Sequence, residues 1–331
     1  MKLIDIPKSA MLELTYKCNF KCKFCYCPWE SSESLHLYEK REELSPDSWL
    51  RIIRLLKSYG VRRIGLSGGE PLAKNGLLYI LEAINSDDIL KEDMKFSLIT
   101  NGTLLREEFV PIFKALRMEL GISLPGLKTY SFHTSIEDMR FDAVLNWIAR
   151  LSKEGIIVHL NVTATRKNLF ELSDIIIQGF SAGAHSLSLS RFVAGGRGYD
   201  FRDDISLVDS DVIKMLDITE NTLRLLNKSG ILMSKLPICS LPTDRLYRNV
   251  RISSLCGAAK RTFTIDPSGY IRVCTQSSKR VGHIFSDTLI EDRSYWDCYA
   301  KNKHKVPGMC VNCIHIETCD FGCIEKWNVI M

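Results

Sequence analysis

The chain lacks an uninterrupted apolar run approaching the ~18–20 residues that a membrane-crossing helix needs, so no helical membrane span is expected. Its opening, Met-Lys-Leu-Ile-Asp-Ile-Pro, lacks the apolar core of a secretory signal. The seven histidines form no H-x-E or H-E-x-x-H pattern, so histidine is given no metal role. Ala194-Gly195-Gly196-Arg197-Gly198 is glycine-rich but does not spell the G-x-G-x-x-G dinucleotide fingerprint. Low-complexity tracts, coiled coils and repeats are missing. Charge of one sign is also scarce: 44 Lys and Arg face 39 Asp and Glu, a net +5 spread along the chain, which gives no sign of a nucleic-acid partner. The most telling gap is in cysteine. There are 12, yet none lies between Cys27 and Cys239. Cysteines grouped at metal spacing suit a reducing, cytoplasmic compartment better than a disulfide framework.

The first group reads Cys18-Asn-Phe-Lys-Cys22-Lys-Phe-Cys25, a C-x3-C-x2-C run after an apolar, strand-like stretch, Met11–Tyr16. Three thiolates on one loop can hold three irons of a cubane cluster and leave the fourth open to a chelating small molecule. The alternative is three of four zinc ligands, but zinc usually takes C-x2-C pairs and the x3 gap is unusual there. Some forty residues on, a second short strand ends in Gly68-Gly69-Glu70-Pro71. Glycines let a backbone approach a ligand closely, and a carboxylate beside them can take an ammonium group.

Together with Phe24, the aromatic before the third cysteine, this combination resembles the radical S-adenosylmethionine (SAM) superfamily. The resemblance implies a 4Fe–4S cluster on Cys18, Cys22 and Cys25, and SAM chelating the open iron. Gly68, Gly69, Glu70 and Pro71 would hold the methionine amino group. One electron would then cleave SAM to methionine and a 5′-deoxyadenosyl radical that takes hydrogen from a substrate. An electron donor of flavodoxin or ferredoxin type is implied.

The C-terminal cysteines read Cys256-x12-Gly269-x4-Cys274, then Cys310-x2-Cys313-x5-Cys319-x3-Cys323. This resembles the SPASM extension of radical SAM enzymes, with two auxiliary 4Fe–4S clusters. Six of that pattern's seven cysteines are present; the seventh is expected beyond Cys323, where there is none. Carried over by position, the first auxiliary cluster uses Cys256, Cys274 and Cys323, with Cys239 as a candidate fourth ligand. The second uses Cys310, Cys313 and Cys319, with Asp320, Cys298, a substrate group or nothing as its fourth. Cys298 reads equally as a buried free thiol, and a pair of zinc-ribbon sites is the alternative for the whole tail.

Between these groups strand and helix patterns alternate. Ser45-Pro46-Asp47 reads as an N-cap with proline at the first helical position, opening a helix that stops at Gly60. Later strands are expected at 63–66, 95–99, 119–123, 156–163 and 186–192, and Asn168 with Glu171 resembles a capping box. Six strand–helix units predict a parallel α/β sheet curled into a partial (β/α)6 TIM-like barrel with a lateral opening, and the resemblance implies the same. The expected organisation is a core at 1–200, a bridge at 201–255 and a small cysteine-rich, SPASM-like domain at 256–331. Ligands belong at the C-terminal ends of barrel strands, where both motifs fall.

Weaker candidates come from the strand ends. Ser123 ends strand four and is either a SAM contact or a turn cap. Asn161 and Thr163, two apart on strand five, point the same way and would meet the SAM ribose or methionine if that way is inward. Arg191 would meet the SAM carboxylate or the substrate. The glycine-rich loop after strand six would shape the adenine side, and Cys27 would pack beside the cluster. Trp29–Glu43 reads as a lid or as a solvated insertion.

The function expected from the resemblance is modification of a ribosomal peptide or a protein side chain, giving a cross-link or an oxidation. About ten residues precede the first strand, so leader recognition is expected from a separate protein or from the barrel opening. The alternative is a radical SAM dehydrogenase or cofactor-biosynthesis enzyme with a small-molecule substrate.

Overall fold

The computed structural model describes residues 6–31, 35–38, 42–136, 141–302 and 306–326. Six strands pair side by side in chain order, all parallel: β1 (Ser9–Glu13), β2 (Arg63–Ser67), β3 (Lys95–Thr100), β4 (Glu119–Ser123), β5 (Ile157–Ala164) and β6 (Ser186–Arg191). Parallel neighbours cannot be joined by a tight turn, so helices make the crossovers. Those at Pro46–Ser58, Leu77–Asn85, Phe109–Ala115, Asp142–Lys153 and Leu172–Ser181 fill the five gaps. The first starts as its sequence predicts: Ser48 N donates to Ser45 Oγ at 3.1 Å, and Pro46 occupies the first helical position.

Two additions extend this core. Beyond β6 lie β7 (Gly230–Leu232) and β8 (Val250–Arg251), both parallel, reached through the helix Asp209–Leu225. On the other side β9 (Thr262–Ile265) runs parallel to β1, followed by antiparallel β10 (Tyr270–Arg272) and β11 (Gly282–His283). The order is β11-β10-β9-β1-β2-β3-β4-β5-β6-β7-β8, with free edges at β11 and β8. The sheet is therefore unclosed, as a partial barrel requires. The helix that follows β6 in the ladder lies at 209–225. β7 and β8 are too short to show a period in sequence.

Alternation gives the sheet two unlike faces. Leu12, Leu66, Leu98, Ile122, Leu160 and Leu189 share one face and are fully buried, the helices covering them. Each contributes roughly 1.5–3 kcal/mol relative to exposure. The other face carries small and polar residues: Ser67, Gly121, Ser123, Asn161, Thr163 and Ser188. Apolar packing thus closes the outside and leaves a polar interior.

Two local expectations change. Asn168 makes no side-chain cap; its Oδ1 accepts from Thr165 N and its Nδ2 donates to Pro125 O and Thr163 O. The Glu171 carboxylate turns the other way and accepts from the amides of Leu127, Lys128 and Thr129, which fixes the loop after β4. A buried carboxylate is better satisfied by three converging amides than by one cap. Within 29–43, Trp29 and Tyr38 are fully buried, with Tyr16 against both at ring separations of 5.1 and 6.3 Å, while Leu35 and Leu37 are exposed. The other residues of that stretch, 32–34 and 39–41, lie outside the described ones.

Candidate functional site

After β1 the chain crosses the C-terminal end of the sheet as the first cysteine loop, and the glycine motif runs beside it. Gly69 N donates to Thr15 O and Glu70 N to Lys17 O, each at 2.8 Å. This approach demands glycine. A Cβ on Gly69 would sit 2.3 Å from Lys17 O; one on Gly68, whose φ is +138°, would sit 2.7 Å from Thr15 O. The two motifs, forty residues apart in sequence, are one backbone unit.

The loop is tied down on its far side. Lys23 N donates to His133 O at 3.0 Å, and the Phe24 ring lies 5.8 Å from the His133 ring. His133 is buried, with Nε2 2.9 Å from Thr165 Oγ1, and burial lowers its pKa, so it packs neutral. From β6, Gly196 fits where a Cβ would meet Cys27 O at 2.4 Å, and Gly198 N donates to Cys25 O at 3.0 Å. Arg197 donates to Cys22 O at 3.4 Å and pairs with Glu30. The glycine-rich loop therefore clamps the cysteine loop. Arg197 and Glu30 were not legible in sequence, because their role depends on the loop after β6 meeting the loop after β1.

Cys18, Cys22 and Cys25 share one space. Burial pushes the Cys18 thiol up to about 11, and raises Cys22 well above its ordinary value with Cys25 and Cys18 adding to it. Cys25 goes the other way, lowered by its hydrogen bond with Cys27; three neighbouring thiols that act on one another are a donor set that suits a multivalent cationic centre, which takes them as thiolates. Cys27 is buried as expected, its Sγ 3.6 Å from Gly68 O.

Glu70 sits differently from the expectation. Its carboxylate is 1% exposed and accepts from Thr100 Oγ1 at 2.6 Å, Asn101 N at 2.8 Å and Leu72 N at 3.1 Å. Burial raises its pKa to about 7 against those donors. The side chain links the glycine turn to the β3 loop. Pro71 opens a short turn, Pro71–Ala73.

Ser123 and Asn161 are register partners on the polar face, and Thr163 lies two residues on. The Asn161 side chain fills the space over Gly121, where a Cβ would meet its Nδ2 at 2.5 Å. Arg191 pairs in register with Ala164, one residue out of phase with Thr163 and Ser190. Burial lowers its pKa, Cys323 and Asp209 oppose this, and its Nε has no hydrogen-bond partner among the described residues. Cys323 and Asp209 therefore lie near it.

The tail thiols form two groups. Cys274 is raised by burial and then by Glu325, Cys323 and Cys256, so Cys256, Cys274 and Cys323 are neighbours. Cys239, expected with them, instead lines one cavity with Cys310, Cys313 and Cys319. Asp320 is also otherwise engaged: its Oδ2 accepts from Cys256 N at 2.6 Å and from Lys260 Nζ at 3.1 Å. Cys298, on the helix Arg293–Ala300, is buried in the apolar core.

Comparison with known proteins agrees with this geometry. Residues 12–172 match the radical SAM superfamily, and the chain carries a radical SAM domain. It is 27% identical over 289 residues to the antilisterial bacteriocin subtilosin biosynthesis protein AlbA of Bacillus subtilis, covering 86% of this chain and 58% of AlbA. The chain thus spans little more than half of that relative's length. A probable GTP 3′,8-cyclase of Thermococcus kodakarensis is 30% identical over 157 residues, covering 47% of each chain. Streptococcus suis SuiB, solved bound to precursor peptide SuiA, has the same fold, with a TM-score of 0.70 at 17% identity over 97% of this chain and 72% of SuiB.

Proposed function

We propose that this chain is a SPASM-type radical SAM enzyme that modifies a ribosomally made peptide or a protein side chain, by cross-linking or oxidation. The observation that carries this reading is the single backbone unit made by the Cys18–Cys25 loop and Gly68–Pro71 at the C-terminal end of the sheet. The similarity to AlbA, which extends over 86% of the chain, supports the peptide class. The cyclase match covers under half of it and supports the small-molecule alternative less.

When bound, the cluster and SAM supply one-electron cleavage and hydrogen abstraction. The protein supplies position and exclusion of water. Cys18, Cys22 and Cys25 hold the cluster, and Arg197 and Gly198 fix their loop. The 68–71 backbone, positioned by Glu70, receives the methionine amino group. Ser123, Asn161 and Thr163 line the interior toward the rest of SAM. The tail thiols hold two auxiliary clusters that accept electrons or orient substrate. An extended substrate enters at the unclosed side of the sheet. A flavodoxin- or ferredoxin-type donor and a leader-recognition protein are the partners this reading requires, in a cytoplasmic setting. Among the described residues no helix is long and apolar enough to cross a membrane.

Protein reconstituted anaerobically with iron and sulfide, then given dithionite and SAM, should release 5′-deoxyadenosine, and Cys22→Ala should abolish this. Equal turnover in the variant sinks the assignment.

A further inference from the structure

Cys239, Cys310, Cys313 and Cys319 line a cavity of about 90 Å³ whose other walls include Pro237, Ile238, Pro307, Ile316 and Phe321. One water needs roughly 10–15 Å³ of such space, so the cavity takes a polyatomic group. Among the described residues, no three cysteine, histidine or carboxylate groups close tightly enough for a single ion. A larger groove of about 420 Å³, beside the helix Asp209–Leu225, is lined by charged residues such as Asp217, Glu220 and Arg245 and by no thiol.

Local backbone chemistry delivers each sulfur. Ser240 donates to Pro237 O through its amide at 3.0 Å and its hydroxyl at 2.7 Å, closing the turn that presents Cys239. Pro307 opens the turn Gly308–Cys310, closed by Cys310 N on Pro307 O at 2.8 Å; Cys313 N then donates to Cys310 O at 3.1 Å. His315 N lies 3.5 Å from Cys313 Sγ and donates to it, as an amide does to a liganding sulfur. Phe321 and Gly322 follow each other with φ of +57° and +95°. This double left-handed turn reverses the chain between Cys319 and Cys323. Cys319 enters the cavity and Cys323 joins Cys274. The same turn seats Gly322 where a Cβ would meet Pro237 Cδ at 3.3 Å, which brings the Cys239 segment alongside.

We propose that Cys239 is the fourth thiolate of the cluster held by Cys310, Cys313 and Cys319. This rests on the auxiliary-cluster reading above. Within this chain it leaves Cys256, Cys274 and Cys323 as a three-thiolate site, with one iron available to a carboxylate, a thiol from elsewhere or the substrate itself. Glu325 lies beside Cys274, anchored by the hydroxyls of Tyr295 at 3.0 Å and Tyr299.

The test uses the full chain with Cys18, Cys22 and Cys25 replaced by alanine, reconstituted with iron and sulfide. That background should hold two clusters, about eight irons. Adding Cys239→Ala should lower iron by about one to four per chain, or leave the electron paramagnetic resonance signal of a three-iron cluster. Cys239→Ser should keep the iron and shift the signal, because serine still offers an oxygen. Placement is tested by combination. Cys239→Ala should remove nothing further from a Cys319→Ala protein but should deplete a Cys274→Ala protein again. The reverse pattern assigns Cys239 to the Cys274 site and overturns the proposal, as does unchanged iron and spectrum in Cys239→Ala. A background that binds zinc or no iron refutes the auxiliary-cluster reading before Cys239 is touched, and the proposal with it.

Discussion

Arg272 on β10 and Glu13 at the end of β1 form an ion pair in which both side chains are essentially inaccessible to solvent. Arg272 also donates to Ser277 O at 2.6 Å, and its guanidinium lies 5.9 Å from the Trp29 ring. Glu13 is five residues before Cys18, so the pair fastens the C-terminal extension to the strand that launches the first cysteine loop. Tyr16 and Arg280 continue the seam: Tyr16 Oη is 2.7 Å from Ser268 Oγ, and Arg280 Nε is 2.8 Å from Asp266 Oδ2.

Burial raises the Glu13 carboxyl to about 7 against the pull of Arg272, so well above that pH breaking the pair from one side strands a buried charge. Arg272→Met should cost about 3–5 kcal/mol, whereas Glu13→Gln with Arg272→Met should recover most of it. Chemical denaturation of the anaerobic protein measures both. Equal losses in the single and double variants would mean that Glu13 is solvated or carries its own proton, and that the seam is held elsewhere.

Glu70 sets a pH dependence. Its carboxyl rises from 4.5 in the open chain to about 7 in the fold, chiefly through burial. Between those values the folded state holds more protons than the unfolded one. The stabilisation is complete below pH 4.5 and is lost as pH rises through 7. A shift of this size is worth about 3 kcal/mol. The difference in stability between the natural protein and Glu70→Gln should therefore change across pH 4.5–7 and flatten above it. A difference that is constant with pH rules this out.

The same geometry separates positioning from contact. Thr100→Val removes the 2.6 Å donor to Glu70 without touching the 68–71 backbone. If Glu70 acts by holding the glycine turn, SAM affinity should fall several-fold in Thr100→Val while iron content stays unchanged. Isothermal titration with SAM decides it. Unchanged affinity in Thr100→Val, with lost affinity in Glu70→Ala, would return the carboxylate to direct contact with SAM.

What could be read in sequence followed from local rules. The C-x3-C-x2-C and Gly-Gly-Glu-Pro motifs sit where strand periods end, and the ladder from β1 to β6 follows from alternation and crossover length. What could not be read depends on register and tertiary grouping. β7 and β8 have three and two residues, too few for a period. Arg191 lies a single residue out of phase with Thr163, and one residue in a strand exchanges faces. Cys239 precedes Cys256 in sequence, yet it lines a cavity with Cys310, Cys313 and Cys319. The Glu13–Arg272 pair spans 259 residues, beyond any motif.

Arg191 gives the last prediction. Its guanidinium is mostly buried, its Nε is unpartnered among the described residues, and Cys323 and Asp209 act on it. A cation near a liganding sulfur stabilises the more negative, reduced form of a cluster and raises its potential. Arg191→Met should therefore lower the potential of the cluster on Cys256, Cys274 and Cys323 by on the order of tens of millivolts. Iron content and SAM affinity should hold. Arg191→Lys should restore part of the potential, because the charge returns without the planar fork. Redox titration followed by electron paramagnetic resonance, in the background lacking Cys18, Cys22 and Cys25, reads that cluster without interference from the first. SAM binding is then measured in the otherwise natural protein. If Arg191→Met weakens SAM binding and leaves the potential alone, the guanidinium meets the SAM carboxylate, and its out-of-phase register is overcome by the length of the side chain. If the potential moves and SAM binding does not, Arg191 belongs to the electron path between the barrel and its C-terminal extension.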